Sequence, residues 1–341
     1  MEYRILGNST LKVSVVGLGT DTFGVGADEK IARAIVDQAL DVGVNYIDTA
    51  DVYGGRLSEQ FVGNAVKGKR ARVIIATKFG ASLSEDGKEF THLEGRGTRD
   101  YIMKAVDASL KRLDTDYIDL YQFHMPDPKT PVEDTLRALD ELTRSGKVRY
   151  VGCSNIAAWE LCEALWVSQV AKLVSFVSIQ PKYNLLDRRI EDELVPCCKA
   201  YNIGIIPWFP LAAGFLTGKY RRGQPFPPGT RFSNKPVFYK QFISDANFDM
   251  LDKLEAFARE RGYNVAELAI SWLVSQPFIS TVIAGATKTE QVSANVAAAN
   301  WKLTAADMAN LDKAVGHRPY AFNPAAPRYY RTPQSFGAVH L

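Results

Sequence analysis

The chain has few cysteines and lacks any long apolar run, and these two absences narrow its class. Its four cysteines include no C-x-x-C pair, so we interpret them as reduced core thiols and expect neither a metal site nor a disulfide framework. No apolar run approaches the ~20 residues that a membrane-spanning helix requires. Residues 1–4 do not begin an apolar secretory signal, which makes the cytoplasm the expected location.

Excess charge of one sign is also absent. The 41 basic and 38 acidic residues give a formal net charge of +3, which argues against nucleic acid as the main partner. Hydrophobic residues make up 46% of the chain, enough to bury a large core. We therefore expect one globular domain over residues 1–341, with an extended tail over 317–341 where prolines and aromatics occur without periodicity.

The two common phosphate-binding motifs are missing as well. Residues 17–24 (GLGTDTFG) look like a dinucleotide fingerprint, but Thr22 stands where the third glycine is required. A Walker loop is also absent from the sequence. A bound nucleotide would therefore have to lie at the ends of late strands, where barrels commonly hold phosphates.

Short apolar segments alternate with amphipathic stretches along the chain. The eight segments are 15–18, 46–48, 73–78, 117–124, 148–154, 174–180, 204–209 and 280–284. Alternation of strands and helices predicts a parallel sheet with right-handed crossovers, and eight repeats over roughly 300 residues predict a (β/α)8 barrel. Residues 3–6 and 11–13 predict a β-hairpin that plugs the lower end of the barrel.

Polar side chains stand at the ends of three consecutive predicted strands. Asp48 ends the second strand with Tyr53 five residues on, Lys78 ends the third, and His124 ends the fourth. In such barrels these ends meet at one face, where active sites lie. A buried ammonium requires a carboxylate partner, so we expect Asp48 to hold Lys78. Lys78 would lower the pKa of Tyr53, and neutral His124 would donate a hydrogen bond.

The later strands end in groups that suit a nucleotide. Ser154 and Asn155 follow the fifth strand, Gln180 ends the sixth and Trp208 lies at the end of the seventh. The loop 285–288 precedes a predicted helix and would place backbone N–H groups and a lysine around an anion.

Five sequence blocks in this order resemble the aldo-keto reductases, in particular the long-loop branch that contains potassium-channel β-subunit-like members. The blocks are 48–54 (DTADVYG), 76–80 (ATKFG), 119–127 (DLYQFHMPD), 152–155 (GCSN) and 216–220 (LTGKY). The resemblance extends over about residues 3–315. It implies a (β/α)8 barrel that binds NADP(H) without a Rossmann fold and transfers hydride to an aldehyde or ketone, or from an alcohol.

The resemblance also assigns residues. It implies a catalytic tetrad of Asp48, Tyr53, Lys78 and His124, with Tyr53 as general acid and base. The implied cofactor shell is Gly19, Thr20, Asp48, Ser154, Asn155, Gln180, Trp208, Phe209, Pro210, Leu211, Gly214, Lys219, Arg231, Gly285, Ala286, Thr287, Lys288, Gln291 and Asn295. An apolar substrate pocket would be lined by Phe23, Tyr53, Phe79, Phe90, His124 and Met125.

Some positions depart from the family pattern. Gly285 and Gln291 stand where well-studied short-loop members carry Lys and Arg, which leaves Lys288 and Arg231 to meet a 2′-phosphate. Phe209 replaces a Ser found in many relatives, which removes a hydroxyl near the pyrophosphate. We expect NADPH or NADP+ as cofactor, with NADH as the alternative.

Two rival hypotheses come from other classes. The barrel could be a nucleotide-binding regulatory subunit of the channel β type with little turnover, or a lyase or aldolase in which Lys78 forms a Schiff base. The expected partner is a small carbonyl or alcohol substrate, with no nucleic acid and no membrane, and a homo-oligomer is compatible with the sequence. The substrate itself stays open.

Overall fold

The computed structural model describes residues 1–81, 94–234, 239 and 242–316. The expected pocket residue Phe90 and the expected tail 317–341 lie outside these residues. Within the described residues, no helix is both long enough and apolar enough to cross a membrane.

Eight parallel strands form one curved sheet, preceded by an antiparallel hairpin. The strands are β1 (Tyr3–Ile5), β2 (Lys12–Ser14), β3 (Val16–Gly19), β4 (Tyr46–Asp48), β5 (Ile74–Phe79), β6 (Ile118–Phe123), β7 (Val148–Ser154), β8 (Ser178–Gln180), β9 (Gly204–Ile205) and β10 (Val282–Gly285). The sheet order is β10-β3-β4-β5-β6-β7-β8-β9. Ser280 N–H donates to the carbonyl of Ile205 at 3.0 Å, which joins the last neighbours and closes the ring. The predicted (β/α)8 barrel is confirmed.

Helices cover the outside of the sheet. They are α1 (Glu29–Asp41), α2 (Leu57–Val66), α3 (Arg99–Leu113), α4 (Val132–Arg144), α5 (Ala158–Ala171), α6 (Leu194–Tyr201), α7 (Arg231–Asn234), α8 (Asp245–Arg259), α9 (Val265–Val274), α10 (Thr289–Ala298) and α11 (Ala305–Val315). Helix α4 shows why such segments fold this way. Leu136, Leu139 and Leu142 recur every three residues, so they share one face, and all three are buried. Glu133 and Asp134 in its first turn place negative charge near the positive end of the helix dipole, which stabilises the helix.

The hairpin closes the lower end of the barrel, as predicted. Leu6 and Val13 are fully buried and pack with barrel residues such as Leu120. The Arg4 guanidinium donates to the carbonyls of Val274 and Ile279 at 2.8 and 2.7 Å, which ties the hairpin to the segment between α9 and β10.

Two strands are shorter than the sequence predicts. The predicted strand 174–180 narrows to β8 because Val174 N–H donates to the side chain of Asp140 at 2.9 Å instead of to a neighbouring strand. The predicted strand 204–209 is shortened to β9, because Pro207, just after it, has no N–H to donate to a neighbouring strand. The long segment after β9 also contains a 3-10 turn, Ala212–Thr217, and the short helix α7.

The cysteines divide into two pairs. Cys153 and Cys198 are buried, as expected of core thiols, whereas Cys162 and Cys197 are only partly buried. The sulfurs of Cys162 and Cys197 lie 3.2 Å apart, between α5 and α6. All four are free thiols.

We predict that Gly7→Ala destabilises the fold strongly. Gly7 has φ +51°, and a Cβ there would lie 2.1 Å from the carbonyl oxygen of Val177 and 2.6 Å from the nitrogen of Gly204. Backbone atoms of the barrel cannot yield as a side chain would, so we expect a loss of about 3 kcal/mol in the free energy of unfolding, measured by urea denaturation.

The matched control is Gly68→Ala. Gly68 has φ +77°, but a Cβ there would meet no atom within 4 Å, so only the left-handed backbone penalty of about 1 kcal/mol applies. Equal losses in the two variants would contradict the close approach at Gly7.

Candidate active site

Lys78 lies at the centre of the predicted tetrad. Strand β5 carries it into the barrel, where its ammonium is fully buried. Lys78 Nζ donates to Asp48 Oδ1 at 2.5 Å and to the carbonyl of Thr49 at 2.9 Å. It also lies 3.2 Å from the hydroxyl of Tyr53, which begins a 3-10 turn after β4. The Lys78 ammonium therefore links Asp48, Thr49 and Tyr53.

His124 completes the group from the next strand. It follows the last residue of β6, and its backbone N–H donates to the carbonyl of Phe79 at 2.8 Å. The rings of Tyr53 and His124 meet edge to face, with centroids 6.0 Å apart and planes at 81°. The structure thus brings together the four side chains that the sequence predicted.

The Asp48–Lys78 pair is held in its ionic form. Burial acts to lower the pKa of Lys78, but the negative charge of Asp48 and the hydrogen bonds to Asp48 and Tyr53 outweigh it, and the net pKa is raised. Burial also raises the pKa of Asp48 despite the nearby ammonium. Both Asp48 oxygens accept from N–H donors, however, and such donors favour the carboxylate. The ionised pair is therefore the form that the hydrogen bonds hold.

Tyr53 differs from the expectation in its pKa. Burial raises the pKa of Tyr53 to about 12, although Lys78 acts to lower it. The predicted effect of Lys78 has the right sign, but the loss of water around the phenol is larger. Burial, followed by the charge of Lys78, holds the pKa of His124 well below its usual range, so His124 is neutral as predicted. Near pH 7 both groups can donate a hydrogen bond.

Gln122 is a site residue that the sequence analysis missed. Its amide donates to Asp48 Oδ2 at 3.3 Å, beside the amide of Gln180 at 2.8 Å. A signal was present, because Gln122 is two residues before His124 and strand side chains alternate between faces. A polar residue in that register on a buried strand points into the barrel with the tetrad.

Hydrogen bonds connect four residues of the expected cofactor shell to His124. Asn155 donates to the His124 carbonyl at 3.1 Å and accepts from Trp208 Nε1 at 3.1 Å. Ser154 Oγ donates to the carbonyl of Gln180 at 2.7 Å. Asn155 has φ +57°, a left-handed conformation that Asn adopts more readily than most residues. The ends of β7, β8 and β9 are thus joined to the tetrad.

Gly19 and Thr20 are the two predicted cofactor residues at the end of β3. Both make contacts within the barrel wall. Thr20 Oγ1 donates to the Asp48 carbonyl at 2.9 Å and lies 2.8 Å from Ser58 Oγ. A Cβ at Gly19 would lie 2.6 Å from the side chain of Ile283, so close contact between β3 and β10 requires glycine there. Their contact with a cofactor stays a prediction.

The loop 285–288 leads directly into helix α10. Helix α10 begins at Thr289, and Lys288 is the exposed residue before it. Gln291 accepts from the Thr287 N–H at 2.7 Å, so its amide faces its own loop. Ala286 accepts from Thr22 at 2.9 Å. Gly285 and Asn295 flank this region at the end of β10 and within α10.

Arg231 reaches this loop from the segment after β9. Its guanidinium pairs with Asp21 at 2.6 Å, and both side chains are about one-third exposed. A Cβ at Gly285 would lie 3.2 Å from the Asp21 carboxylate. The ion pair therefore joins the loop after β3 to the segment after β9, next to the end of β10.

The remaining predicted cofactor residues lie on the segment after β9. Phe209 has φ +59° and packs edge to face on Trp208, with ring centroids 4.6 Å apart. Gly214 has φ +91°, and a Cβ there would lie 3.0 Å from Lys219 Nζ. Pro210 and Leu211 connect the two positions.

Comparison with known proteins now decides the family. A sequence model described as "Aldo/keto reductase family" matches residues 15–315. The chain belongs to the aldo/keto reductase family.

Several aldo/keto reductase relatives cover nearly the whole chain. The chain is 37% identical to a probable voltage-gated potassium channel subunit beta of Oryza sativa subsp. japonica, over 87% of this chain and 91% of that protein. It is 35% identical to aldo-keto reductase YhdN of Bacillus subtilis, over 92% and 93% of the two chains. The solved holo form of aldo-keto reductase AKR11C1 from Bacillus halodurans is similar in fold, with a TM-score of 0.77 and 35% identity over 94% of this chain and 99% of that chain.

Two of the predicted substrate residues lie among buried apolar side chains of the barrel. Phe23 and Phe79 are fully buried in the core between sheet and helices, and Phe79 stacks on Tyr121 with centroids 4.6 Å apart. The reason for Phe79 is strand alternation: because Lys78 points inward, its neighbour points outward. Met125 is near the site, with its sulfur 3.3 Å from the Asn155 amide.

Asp51 is a second residue that the sequence analysis missed. It lies between Asp48 and Tyr53 on the same loop of this family member, is 9% exposed, and its Oδ1 has no hydrogen-bond partner among the described residues. Burial, followed by the nearby charge of Glu59, raises its pKa from the ordinary value of 3.8 to about 7. The carboxyl therefore titrates near neutral pH.

The raised pKa of Asp51 predicts a pH-dependent stability. Between pH 4 and pH 7 the folded chain keeps a proton that the unfolded chain releases, so this group makes wild type less stable as pH rises. Asp51→Asn removes the titration. We define the difference as the free energy of unfolding of Asp51→Asn minus that of wild type. We expect this difference to be about 2 kcal/mol larger at pH 8 than at pH 5. Urea denaturation at the two pH values measures it, and a constant difference would contradict the raised pKa.

Proposed function

We propose that this protein is an NADP(H)-dependent oxidoreductase that reduces an aldehyde or ketone to an alcohol, or catalyses the reverse reaction, with Tyr53 as general acid and base. The observation that carries the proposal is the Tyr53 hydroxyl at 3.2 Å from a buried ammonium that Asp48 holds at 2.5 Å. Family membership and relatives named as reductases or oxidoreductases support it.

Tyr53, Lys78 and His124 suit the proton transfer that such a reaction requires. A nicotinamide cofactor, when bound, supplies or accepts the hydride. Reduction builds negative charge on the carbonyl oxygen, which must gain a proton or a strong hydrogen bond. The Tyr53 hydroxyl is protonated near pH 7 and can give its proton, and the adjacent Lys78 stabilises the phenolate that remains. Neutral His124 can donate a second hydrogen bond to the same oxygen and orient the substrate.

The chain also offers groups that suit a dinucleotide. Asn155 and Trp208 present an amide and an aromatic face beside His124. Ten-residue helix α10 begins behind exposed Lys288, and a helix N-terminus favours anions. Arg231 is already paired with Asp21, so we assign a 2′-phosphate to Lys288 and propose NADPH as the preferred cofactor.

A regulatory role is the second candidate, because the chain resembles proteins named as probable potassium channel β subunits at 37% and 36% identity. NADPH consumption with a panel of aldehydes separates the two, since a regulatory module would bind NADPH with negligible turnover. A Schiff-base mechanism is not favoured. It needs a neutral amine, whereas the raised pKa keeps Lys78 charged.

We predict that Tyr53→Phe lowers kcat for carbonyl reduction by about 100-fold or more and leaves NADPH affinity nearly unchanged. The substitution removes the transferable proton and keeps the ring. Steady-state kinetics and a cofactor titration measure the two effects. Turnover within a few-fold of wild type would remove Tyr53 from the mechanism.

Tyr121→Phe is the matched control. It also deletes one buried hydroxyl, and within the described part of the chain that hydroxyl has no hydrogen-bond partner. Its activity is expected to stay near that of wild type, so a comparable loss in both variants would point to packing instead of proton transfer.

We predict that wild type prefers NADPH over NADH by roughly thirty-fold, on the order of 2 kcal/mol, and that Lys288→Ala removes most of that preference. A 2′-phosphate at the start of α10 would receive a charge-assisted hydrogen bond from Lys288 in addition to the helix terminus. Titrations of both cofactors, read by tryptophan fluorescence, measure the preference in each variant.

Lys313→Ala, at an exposed position on α11, serves as control for the loss of one positive charge. It should leave both affinities unchanged. If Lys288→Ala lowers the affinities for NADPH and NADH equally, Lys288 does not contact the 2′-phosphate.

A further inference from the structure

Two of the four cysteines form a close pair on the outside of the barrel. Cys162 lies in the second turn of α5 and Cys197 lies in α6, 35 positions later, and their sulfurs are 3.2 Å apart. Both side chains are partly exposed, whereas Cys153 and Cys198 are buried. The expectation of core thiols therefore describes Cys153 and Cys198 but not the pair between the two helices.

The pair is close to the geometry of a disulfide. A disulfide bond is about 2.05 Å long, so the two sulfurs have to approach by roughly 1.2 Å, which rotations of the two side chains can supply. Cys198 follows Cys197 in the same helix, but consecutive helix residues point in different directions, and Cys198 is turned into the core. Cys162 is therefore the partner that the fold offers to Cys197.

Cys197 is the proton donor of the pair. Burial, followed by the hydrogen bond with Cys162, raises the pKa of Cys197 to about 12, so this thiol stays protonated near neutral pH. Its nearer acceptor is the Cys162 sulfur at 3.2 Å, and the carbonyl of Ala158 is farther away at 3.9 Å. A thiolate on Cys162 would accept this hydrogen bond, and such a donor stabilises the charged form. The thiolate is the form of cysteine that acts as a nucleophile.

We propose that Cys162 and Cys197 are a thiol pair that a hydroperoxide oxidises to a disulfide between α5 and α6. In the first step the Cys162 thiolate attacks the peroxide, the O–O bond breaks, and Cys162 becomes a sulfenic acid as hydroxide leaves. In the second step the Cys197 sulfur attacks the Cys162 sulfur, the S–O bond breaks, and the departing hydroxide takes the Cys197 proton to form water. Two thiols thus lose two electrons and two protons, and hydrogen peroxide becomes two waters.

The short distance between the sulfurs decides the fate of the sulfenic acid. A thiol already in contact reacts as an intramolecular group, so Cys197 intercepts the sulfenic acid before a second peroxide oxidises it to sulfinic acid. The disulfide is reversible, because a dithiol reductant attacks it and returns both thiols. The proposal is independent of the reductase reaction, since thiol oxidation alone defines it.

Thiol counting and mass spectrometry of the full chain test the proposal. The untreated protein has four free thiols. After brief treatment with a slight excess of hydrogen peroxide, we expect two thiols to remain, a monomer that is lighter by two hydrogen atoms, and recovery of all four thiols with dithiothreitol. Four remaining thiols, a disulfide between two chains, or sulfinic acid on Cys162 without an internal disulfide would each overturn the proposal.

Substitution of the two adjacent cysteines in α6 gives a matched comparison. Cys197→Ser is expected to form no disulfide and to accumulate a sulfenic acid on Cys162, which dimedone traps in at least about tenfold greater yield than in wild type. Cys198→Ala removes the buried neighbour and is expected to form the disulfide as wild type does. An internal disulfide in Cys197→Ser, or its loss in a folded Cys198→Ala, would overturn the assignment. Should Cys198→Ala fail to fold, Cys162→Ser decides, and a disulfide that persists in that variant overturns the proposal.

Discussion

The buried ion pair of Asp48 and Lys78 is the interaction on which the active-site end of the barrel depends. Removing two charges from water is costly, and their attraction offsets this only where further hydrogen bonds satisfy the remaining atoms. Here Gln122 and Gln180 donate to the second Asp48 oxygen, and the Thr49 carbonyl accepts from the ammonium. The pair is therefore satisfied by groups from four strands, β4, β5, β6 and β8. Loss of one partner would leave an uncompensated buried charge, at a typical cost of about 3–5 kcal/mol.

The same arrangement also affects the protonation of the neighbouring side chains. The ion pair is close to neutral as a unit, so burial dominates the neighbouring phenol and keeps Tyr53 protonated. The same burial that keeps His124 neutral makes it a donor instead of a second cation. Burial thus sets the protonation states of two different side chains, Tyr53 and His124.

The sequence predicted the features that follow from strand periodicity and failed where contacts are set by distant parts of the chain. The barrel and the tetrad were predictable because parallel strands bring their ends to one face. Phe79 is an exception, because its outward position follows from strand alternation with Lys78 and differs from the predicted pocket position. The Asp21–Arg231 pair joins residues 210 positions apart, and no local pattern indicates it. The pKa of Tyr53 depends on how much water the folded site excludes, which the sequence does not state.

The hairpin that seals the lower end has a consequence for how the chain is made. Arg4 donates to the carbonyl of Ile279, 275 positions later, and β3 pairs with β10, so the first barrel strand lacks one neighbour until the last has been synthesised. A nascent chain leaving the ribosome would therefore carry an open sheet edge at β3 through nearly all of translation. Exposed edges and apolar surface invite association with other chains. For this barrel, the period of greatest vulnerability to aggregation ends only when the final βα unit emerges.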